Sequence, residues 1–372
     1  MVMERPVQML NSSEKTALGL RAAYSSYGYR PFKMNKFEEY DLYAENRSFL
    51  VSGKVITFTD INGKLMALKP DITLSVVKSV QDCEELVKVC YDENVYRAEK
   101  GGREFKEIVQ AGLECIGDVD LYCEGEVVLL ALKSLALVSD TFLLSISHMA
   151  YLTGVLDETG LDTASRLHIY KCICAKSKIG VESLCRKFDV DDRLMVVLMR
   201  LAELYQPLGQ ALDELQALSV NKKTDAAVDE LRGIFDLLKS EEQARLYIDF
   251  SIESDDRYYN GVIFQGFVQG SASCVLSGGR YDGLMQKFGK KGGAIGFAVY
   301  LNLLEDLTRG KREYDIDVLL VYDDKTDPHA VTEQMRSLIA CGKSVKAQKG
   351  EKTGLRYRQT MRMVDGEAKV VE

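Results

Sequence analysis

The chain has no excess of positive charge: 48 lysines and arginines stand against 56 aspartates and glutamates, a formal charge of -8 over 372 residues. A protein whose main work was gripping nucleic-acid phosphates would carry a basic balance or a basic face. It has no apolar run of membrane-spanning length, and its opening Met1-Val2-Met3-Glu4-Arg5-Pro6 lacks the apolar core of a secretory signal. The expected location is therefore the cytosol. It has no low-complexity tract, and 46% apolar with 28% charged residues describes a well-cored folded chain. Its 9 cysteines include one close pair, Cys172 and Cys174, with no second pair at zinc-like spacing. Buried reduced thiols are expected, without a metal site. His148, His168 and His329 are far apart, with no cysteine or carboxylate cluster around them, and read as structural. Neither metal nor cofactor is expected.

What the chain does have is a strand, a charged glycine loop and a second strand over residues 96–117. Arg97 supplies a planar fork suited to a carboxylate or phosphate. Gln110 and Glu114 alternate with apolar residues on the return strand, so both can point into one cleft. The alternative is a solvated hairpin with ordinary surface charges.

Around this hairpin the pattern is mixed. Residues 13–27 read as a helix stopped by Gly28. Residues 51–68 alternate around Asp60-Ile61-Asn62-Gly63, a strong hairpin signal. Lys69-Pro70-Asp71 breaks the strand before a helix over 74–80. A helix is expected over 124–138, a buried strand over 143–152, and an almost unbroken helical block, read as an insertion, over about 163–244. Strands are expected again at 246–252, 258–268 and 273–276. A glycine phrase follows from Ser277, then a mobile-looking link over 289–293 and a core helix around 299–304. The tail, 314–372, reads as one βαβ unit with strands at 317–322 and 344–348. Arg356, Arg358 and Arg362 form its basic cluster, read as solvated surface. The predicted fold class is α+β, an antiparallel sheet flanked by helices.

The phrases Leu68-Lys69-Pro70-Asp71-Ile72-Thr73, Tyr96-Arg97-Ala98-Glu99, Gln110-Ala111-Gly112-Leu113-Glu114, Arg257-Tyr258-Tyr259-Asn260-Gly261, Gly278-Gly279-Arg280-Tyr281-Asp282-Gly283-Leu284 and Ile295-Gly296-Phe297-Ala298 occur in one order. In that order they resemble the catalytic domain of histidyl-tRNA synthetases, over residues from about 15 to 308. The resemblance implies a class II synthetase-like domain over 1–313, normally dimeric, and a truncated anticodon-binding-like unit over 314–372. It also implies a histidine pocket made of Asp71, Thr73, Arg97, Gln110, Glu114, Tyr258 and Tyr259. Asp71 would hold the α-ammonium and an exposed Arg97 the carboxylate. Gln110, Glu114 and the tyrosine hydroxyls would meet the polar edge of the ligand.

Departures from the family carry as much weight. Two phosphate-facing arginines of the family correspond to Ser254 and Leu303 here, Lys69 replaces a usual arginine, and Asn35 stands where the family usually carries proline. Loss of two preorganised cations argues against adenylate formation. A synthetase body with altered ATP chemistry, a retained amino-acid pocket and a shortened tail is similar to the regulatory subunits of ATP phosphoribosyltransferase. That likeness implies a non-catalytic chain that works with a short catalytic subunit, with L-histidine as effector, as a homodimer within a hetero-oligomer. Two alternatives stay open: a divergent histidyl-tRNA synthetase, and an amino-acid-sensing paralogue with another partner. The pocket positions could also be inherited scaffold without a ligand.

Overall fold

The structure is a computed structural model that describes residues 12–47, 50, 54–80, 85–98, 104–254, 258–308 and 314–371, with 12 and 305–308 as backbone only. Two compact units divide the chain, one spanning Ser13–Leu304 and the other containing the residues from Glu305 onward.

In the first unit, α1 (Ser12–Ser26) leads to β1 (Arg30–Pro31). Next, β2 (Phe37–Glu39), α2 (Tyr40–Glu45), β3 (Thr57–Thr59) and β4 (Leu65–Leu68) supply a small antiparallel sheet and a helix beside it. Then come α3 (Thr73–Ser79), the long hairpin β5 (Val87–Ala98) and β6 (Phe105–Gly117), α4 (Leu121–Val138), β7 (Phe142–His148) and α5 (Met149–Glu158). The helical block holds α6 (Thr163–Cys174), α7 (Lys178–Lys187), α8 (Asp192–Glu203), β8 (Tyr205–Pro207), α9 (Leu208–Ala217), α10 (Lys222–Asp236) and α11 (Ser240–Gln243). The chain returns through β9 (Leu246–Asp249), β10 (Val262–Val268), β11 (Leu276–Arg280), α12 (Asp282–Lys287), β12 (Gly293–Tyr300) and α13 (Leu301–Thr308).

The nine-stranded sheet runs β1-β5-β6-β12-β11-β10-β7-β9-β8. Its pairings are antiparallel except β1 with β5 and β7 with β9, so the sheet is mixed rather than purely antiparallel. Helix α4 covers one face. Asp120 caps it, its carboxylate accepting from the Cys123 N–H at 2.9 Å, which satisfies a donor the helix cannot. Leu130, Leu132 and Leu135 on α4 are buried, each contributing about 1.5–3 kcal/mol. On the same face the Tyr24 hydroxyl meets Ser134 Oγ at 2.9 Å, and its ring meets Phe297 edge-on. Because successive strand residues alternate, the opposite face is free to carry a site.

The local signals of the sequence correspond to particular bonds. The Asn62-Gly63 turn joins β3 to β4, with Gly63 at φ 82° and the Asp60 carboxylate accepting from the N–H groups of Asn62 and Lys64. Asp71, rather than Pro70, starts α3: its Oδ1 accepts from Leu74 N–H at 3.0 Å.

Other expectations need correction. The strand expected over 143–152 ends at His148 and gives way to α5, because an unbroken apolar run has no period to separate strand from helix. The helical block contains a strand, β8, a short edge of three residues closed by Pro207. The glycine phrase after Ser277 lies inside β11. A Cβ on Gly278 would lie 2.3 Å from the Gly296 carbonyl and one on Gly279 2.6 Å from the Val262 carbonyl, so glycine is what lets these strands approach. Residues 299–300 belong to β12, and helix begins only at Leu301. The link over 289–293 is tethered, since the Lys290 ammonium donates to the Val77 and Val80 carbonyls. Glu99, the glycines of the 99–103 loop and Arg257 lie outside the described residues.

In the second unit, β13 (Ile316–Tyr322), α14 (Pro328–Ala340) and β14 (Val345–Lys349) form the expected βαβ unit, but β15 (Tyr357–Val364) and β16 (Glu367–Val370) extend it. The sheet order is β14-β13-β15-β16. Arg358 and Arg362 are exposed positions on β15, where Met363 is buried. Arg356 pairs with Asp315 at 3.2 Å, and Arg362 pairs with Glu351.

Candidate ligand-binding site

The other face of the large sheet lines a cavity of about 1300 Å³. Register sets what lines it. Glu114 on β6 sits opposite Gly296 on β12, which sits opposite Gly279 on β11. Gln110 sits opposite Tyr300, and Gly112 lies between Tyr91 on β5 and Ala298 on β12. Gly112 allows Tyr91 to lie flat across β6, since a Cβ there would meet the Tyr91 hydroxyl at 2.6 Å. A Cβ on Gly296 would stand 1.8 Å from Glu114 Oε2, so the Ile-Gly-Phe-Ala phrase is needed to leave room for this carboxyl.

Asp71, Thr73, Arg97, Gln110, Glu114, Tyr258 and Tyr259 all contribute to the lining of this one cavity. Asp71 and Thr73 come from the start of α3, Arg97 from β5, and the two tyrosines from the segment before β10. The tyrosine rings meet edge-on at 4.6 Å between centroids, and Tyr258 lies 5.9 Å from the Tyr281 ring.

Glu114 is 2% exposed, and the groups bonded to it are hydroxyls. Tyr281 donates to Oε2 at 2.6 Å, while Thr73 at 2.9 Å and Tyr91 at 3.4 Å donate to Oε1. Burial outweighs these bonds and pushes its pKa up to about 8, with the Asp71 carboxyl adding to the rise. At neutral pH Glu114 is therefore mainly the neutral acid. Gln110, also 2% exposed, forms no side-chain hydrogen bond to any described residue. An amide that faces a cavity with no partner among the described residues can take one from a ligand or water.

Asp71 and Arg97 do not stand apart as two ligand hooks. Arg97 Nε donates to the Pro70 carbonyl at 2.6 Å and Nη2 to Asp71 Oδ2 at 3.4 Å. The Arg97 side chain is only 11% exposed, so the exposed cleft arginine expected from sequence is instead a half-internal tie between β5 and the start of α3. Burial raises the Asp71 carboxyl, opposed by the Arg97 charge and by the N–H groups of Leu74 and Thr73. Lys69 is fully buried and paired with Glu93 at 2.9 Å.

Phenols that the sequence reading did not assign complete the lining: Tyr91, Tyr170, Tyr281 and Tyr300. Tyr281 was visible in the Gly-Gly-Arg-Tyr-Asp phrase, and Tyr300 follows from strand parity two residues after Ala298. Tyr170 arrives from the helical block, and no local pattern signals it.

The family model for histidyl-tRNA synthetase matches residues 7–304. An ATP phosphoribosyltransferase regulatory subunit from Desulfitobacterium hafniense is 30% identical over 293 residues, covering 77% of this chain and 75% of that one. The chain belongs to the histidyl-tRNA synthetase-like family of ATP phosphoribosyltransferase regulatory subunits. Among solved structures, an ATP phosphoribosyltransferase regulatory subunit/histidyl-tRNA synthetase from Bacillus halodurans has the same fold, with TM-score 0.78 at 22% identity over 94% of this chain and 93% of that one. A chain of the ATP phosphoribosyl transferase (HisG:HisZ) complex from Thermotoga maritima aligns with TM-score 0.62 at 18% identity, over 78% and 98%.

Within this regulatory family, the two positions that resemblance marked as former synthetase cations have separate settings. Ser254 lines the cavity, and its backbone is bonded to the Tyr170 hydroxyl. Leu303 is a half-buried residue on the first turn of α13 and is not part of the lining. Among the described residues, no helix is long and apolar enough to cross a membrane and no cluster of histidine, cysteine, aspartate or glutamate could hold a metal.

Proposed function

We propose that this chain is the cytoplasmic, non-catalytic regulatory subunit that activates a short catalytic ATP phosphoribosyltransferase subunit, and that the cavity binds L-histidine to convey feedback inhibition. Membership of the regulatory family supports the role. The observation that carries the ligand is the pair Gln110 and Glu114, a buried amide with no side-chain partner among the described residues beside a buried carboxyl bonded to hydroxyls. An imidazole edge carries one donor and one acceptor nitrogen when neutral. A neutral acid can donate to the acceptor and an ionised one can accept from the donor, while the amide serves either. Asp71 and Arg97, already a charge pair, offer complementary charges to a zwitterion. The other charge available to phosphate chemistry is reduced by Ser254 and Leu303, consistent with binding without adenylation.

Regulation requires that histidine bind the active and inhibited states of the complex with different affinity, since equal affinity shifts nothing. The chain is expected to act as a homodimer within the hetero-oligomer. The test is phosphoribosyl-ATP formation by the short catalytic subunit, with and without this chain and with and without L-histidine. Activation by the chain, with inhibition by histidine only in its presence, is the expected result. No effect of the chain, or histidine-dependent exchange of pyrophosphate into ATP by the chain alone, overturns it.

A further inference from the structure

One hydroxyl in the cavity wall is bonded twice to a single residue. Tyr170, on α6 of the helical block, donates to the Ser254 carbonyl at 2.6 Å and accepts from the Ser254 N–H at 2.7 Å. A phenol has one proton to give and lone pairs to receive with, so this arrangement uses both capacities on one residue's backbone. It thereby orients the peptide groups on both sides of Ser254.

The ring of Tyr170 makes a second link. It packs on the cluster of Met149, Ile252 and Ile263, against which Tyr259 also packs, so the two side chains share one apolar support. Cys174, one turn further along α6, faces the same hydroxyl. Arg166 and Lys223 of the block also line the cavity, and both pair with the half-exposed Asp157. Pairs of that kind hold little. Tyr170 is a half-buried connection with two hydrogen bonds to the cavity wall.

We propose that Tyr170 is the positioning residue that couples the ligand cavity to the helical block. It holds the Ser254 peptide groups in the cavity wall and shares an apolar cluster with Tyr259, and a ligand that engages this wall in turn restrains α6. Coupling of this kind is reciprocal, so whatever repositions α6 changes ligand affinity by the same factor. The inference rests on the cavity being a histidine site, and the experiment separates the two.

The full chain is compared as wild type, Tyr170→Phe and Tyr151→Phe. The last removes a buried hydroxyl, bonded to the Leu215 carbonyl at 2.9 Å, away from the cavity. Calorimetric titration with L-histidine and amide hydrogen exchange are read for each. Tyr170→Phe is expected to weaken histidine at least about tenfold, within the usual range of coupling. It is also expected to abolish the ligand-dependent protection of residues 163–174 seen in wild type, while Tyr151→Phe leaves both unchanged. Without ligand, Tyr170→Phe alone should speed exchange of the Ser254 amide while exchange in α8 stays as in wild type. Wild-type affinity and retained protection in Tyr170→Phe overturn the coupling, as does faster exchange spread through α7 and α8, which marks a merely structural role. If wild type binds no histidine, the reading of the cavity falls, and the ligand-free exchange of Ser254 still decides whether Tyr170 holds the segment.

Discussion

Two buried glutamates on opposite faces of one sheet are built to different ends. Glu114, on the cavity face, is surrounded by hydroxyls and a neighbouring acid, and its proton is retained up to about pH 8. Glu124, on α4 behind the sheet, accepts from Arg280 Nη1 at 2.6 Å. Burial and the nearby Glu230 carboxyl raise its pKa, and Arg280 opposes the rise. Glu230 in turn meets His148 Nε2 at 2.9 Å, and Arg280 Nε donates to Asp282 Oδ2 at 2.9 Å. The rear carboxyl thus has its cation inside the protein. The front one has neutral donors that hold it in place and leave its charge unanswered. One phrase serves both: Arg280 turns to the rear and Tyr281 to the cavity, because neighbouring residues at a strand end point to opposite faces. A structural carboxyl is completed by the fold, whereas a carboxyl for binding is left for a ligand to complete.

The sharpest way to break this comparison is Arg280→Ala. Removing one partner leaves Glu124 buried without its cation, and the expected loss is about 3–5 kcal/mol in denaturant unfolding. The loss should be greater at pH 8 than at pH 6, since Glu124 can then escape only by staying protonated. A loss under about 1 kcal/mol would mean that the rear cluster is as incomplete as the front.

Glu114→Gln should act with the opposite sign. The folded-state pKa of Glu114 is raised from 4.5 to about 8, so the folded chain holds a proton that the unfolded chain releases. Its contribution to stability is fully present below about pH 4.5 and is lost as pH rises toward 8. The amide cannot ionise. At pH 8.5 the variant should therefore be more stable than wild type by about 2–4 kcal/mol, with little difference at pH 5, while histidine affinity falls. Equal pH profiles for the two chains would show that Glu114 is charged in the folded state.

Thr73→Val gives the smallest and most local effect. It removes the 2.9 Å hydroxyl from Glu114 Oε1, for about 0.5–1.5 kcal/mol, and should move the stability profile of the chain to slightly higher pH. Carbon-detected NMR of the Glu114 carboxyl reads the shift directly, and a fall in its pKa would contradict the assignment of Thr73 as a donor.

Local chemistry in the sequence settles a good part of this. Asn62-Gly63 defines its hairpin because glycine tolerates the left-handed turn, and the spacing of Gln110 and Glu114 puts both on one strand face because strand parity is a covalent property of the chain. The order of the phrases identifies the fold family. Other features have no local cause. Gly278 and Gly279 fall outside the strand expected over 273–276, yet once the neighbouring strands are in place they are the residues the spacing admits. Strands β15 and β16 are hidden because their outward positions are charged and their inward ones gain meaning only from β13 and α14. Arg97 reads as a ligand hook, yet the carbonyl of Pro70 and the carboxylate of Asp71 claim it first. Tyr170 is more than 80 residues from Ser254, so their hydrogen bonds exist only after the helical block has docked. Sequence determined which groups each face carries. Tertiary structure decided which of them are already satisfied and which are left facing a cavity, because desolvation and hydrogen bonding depend on neighbours that chain order does not specify.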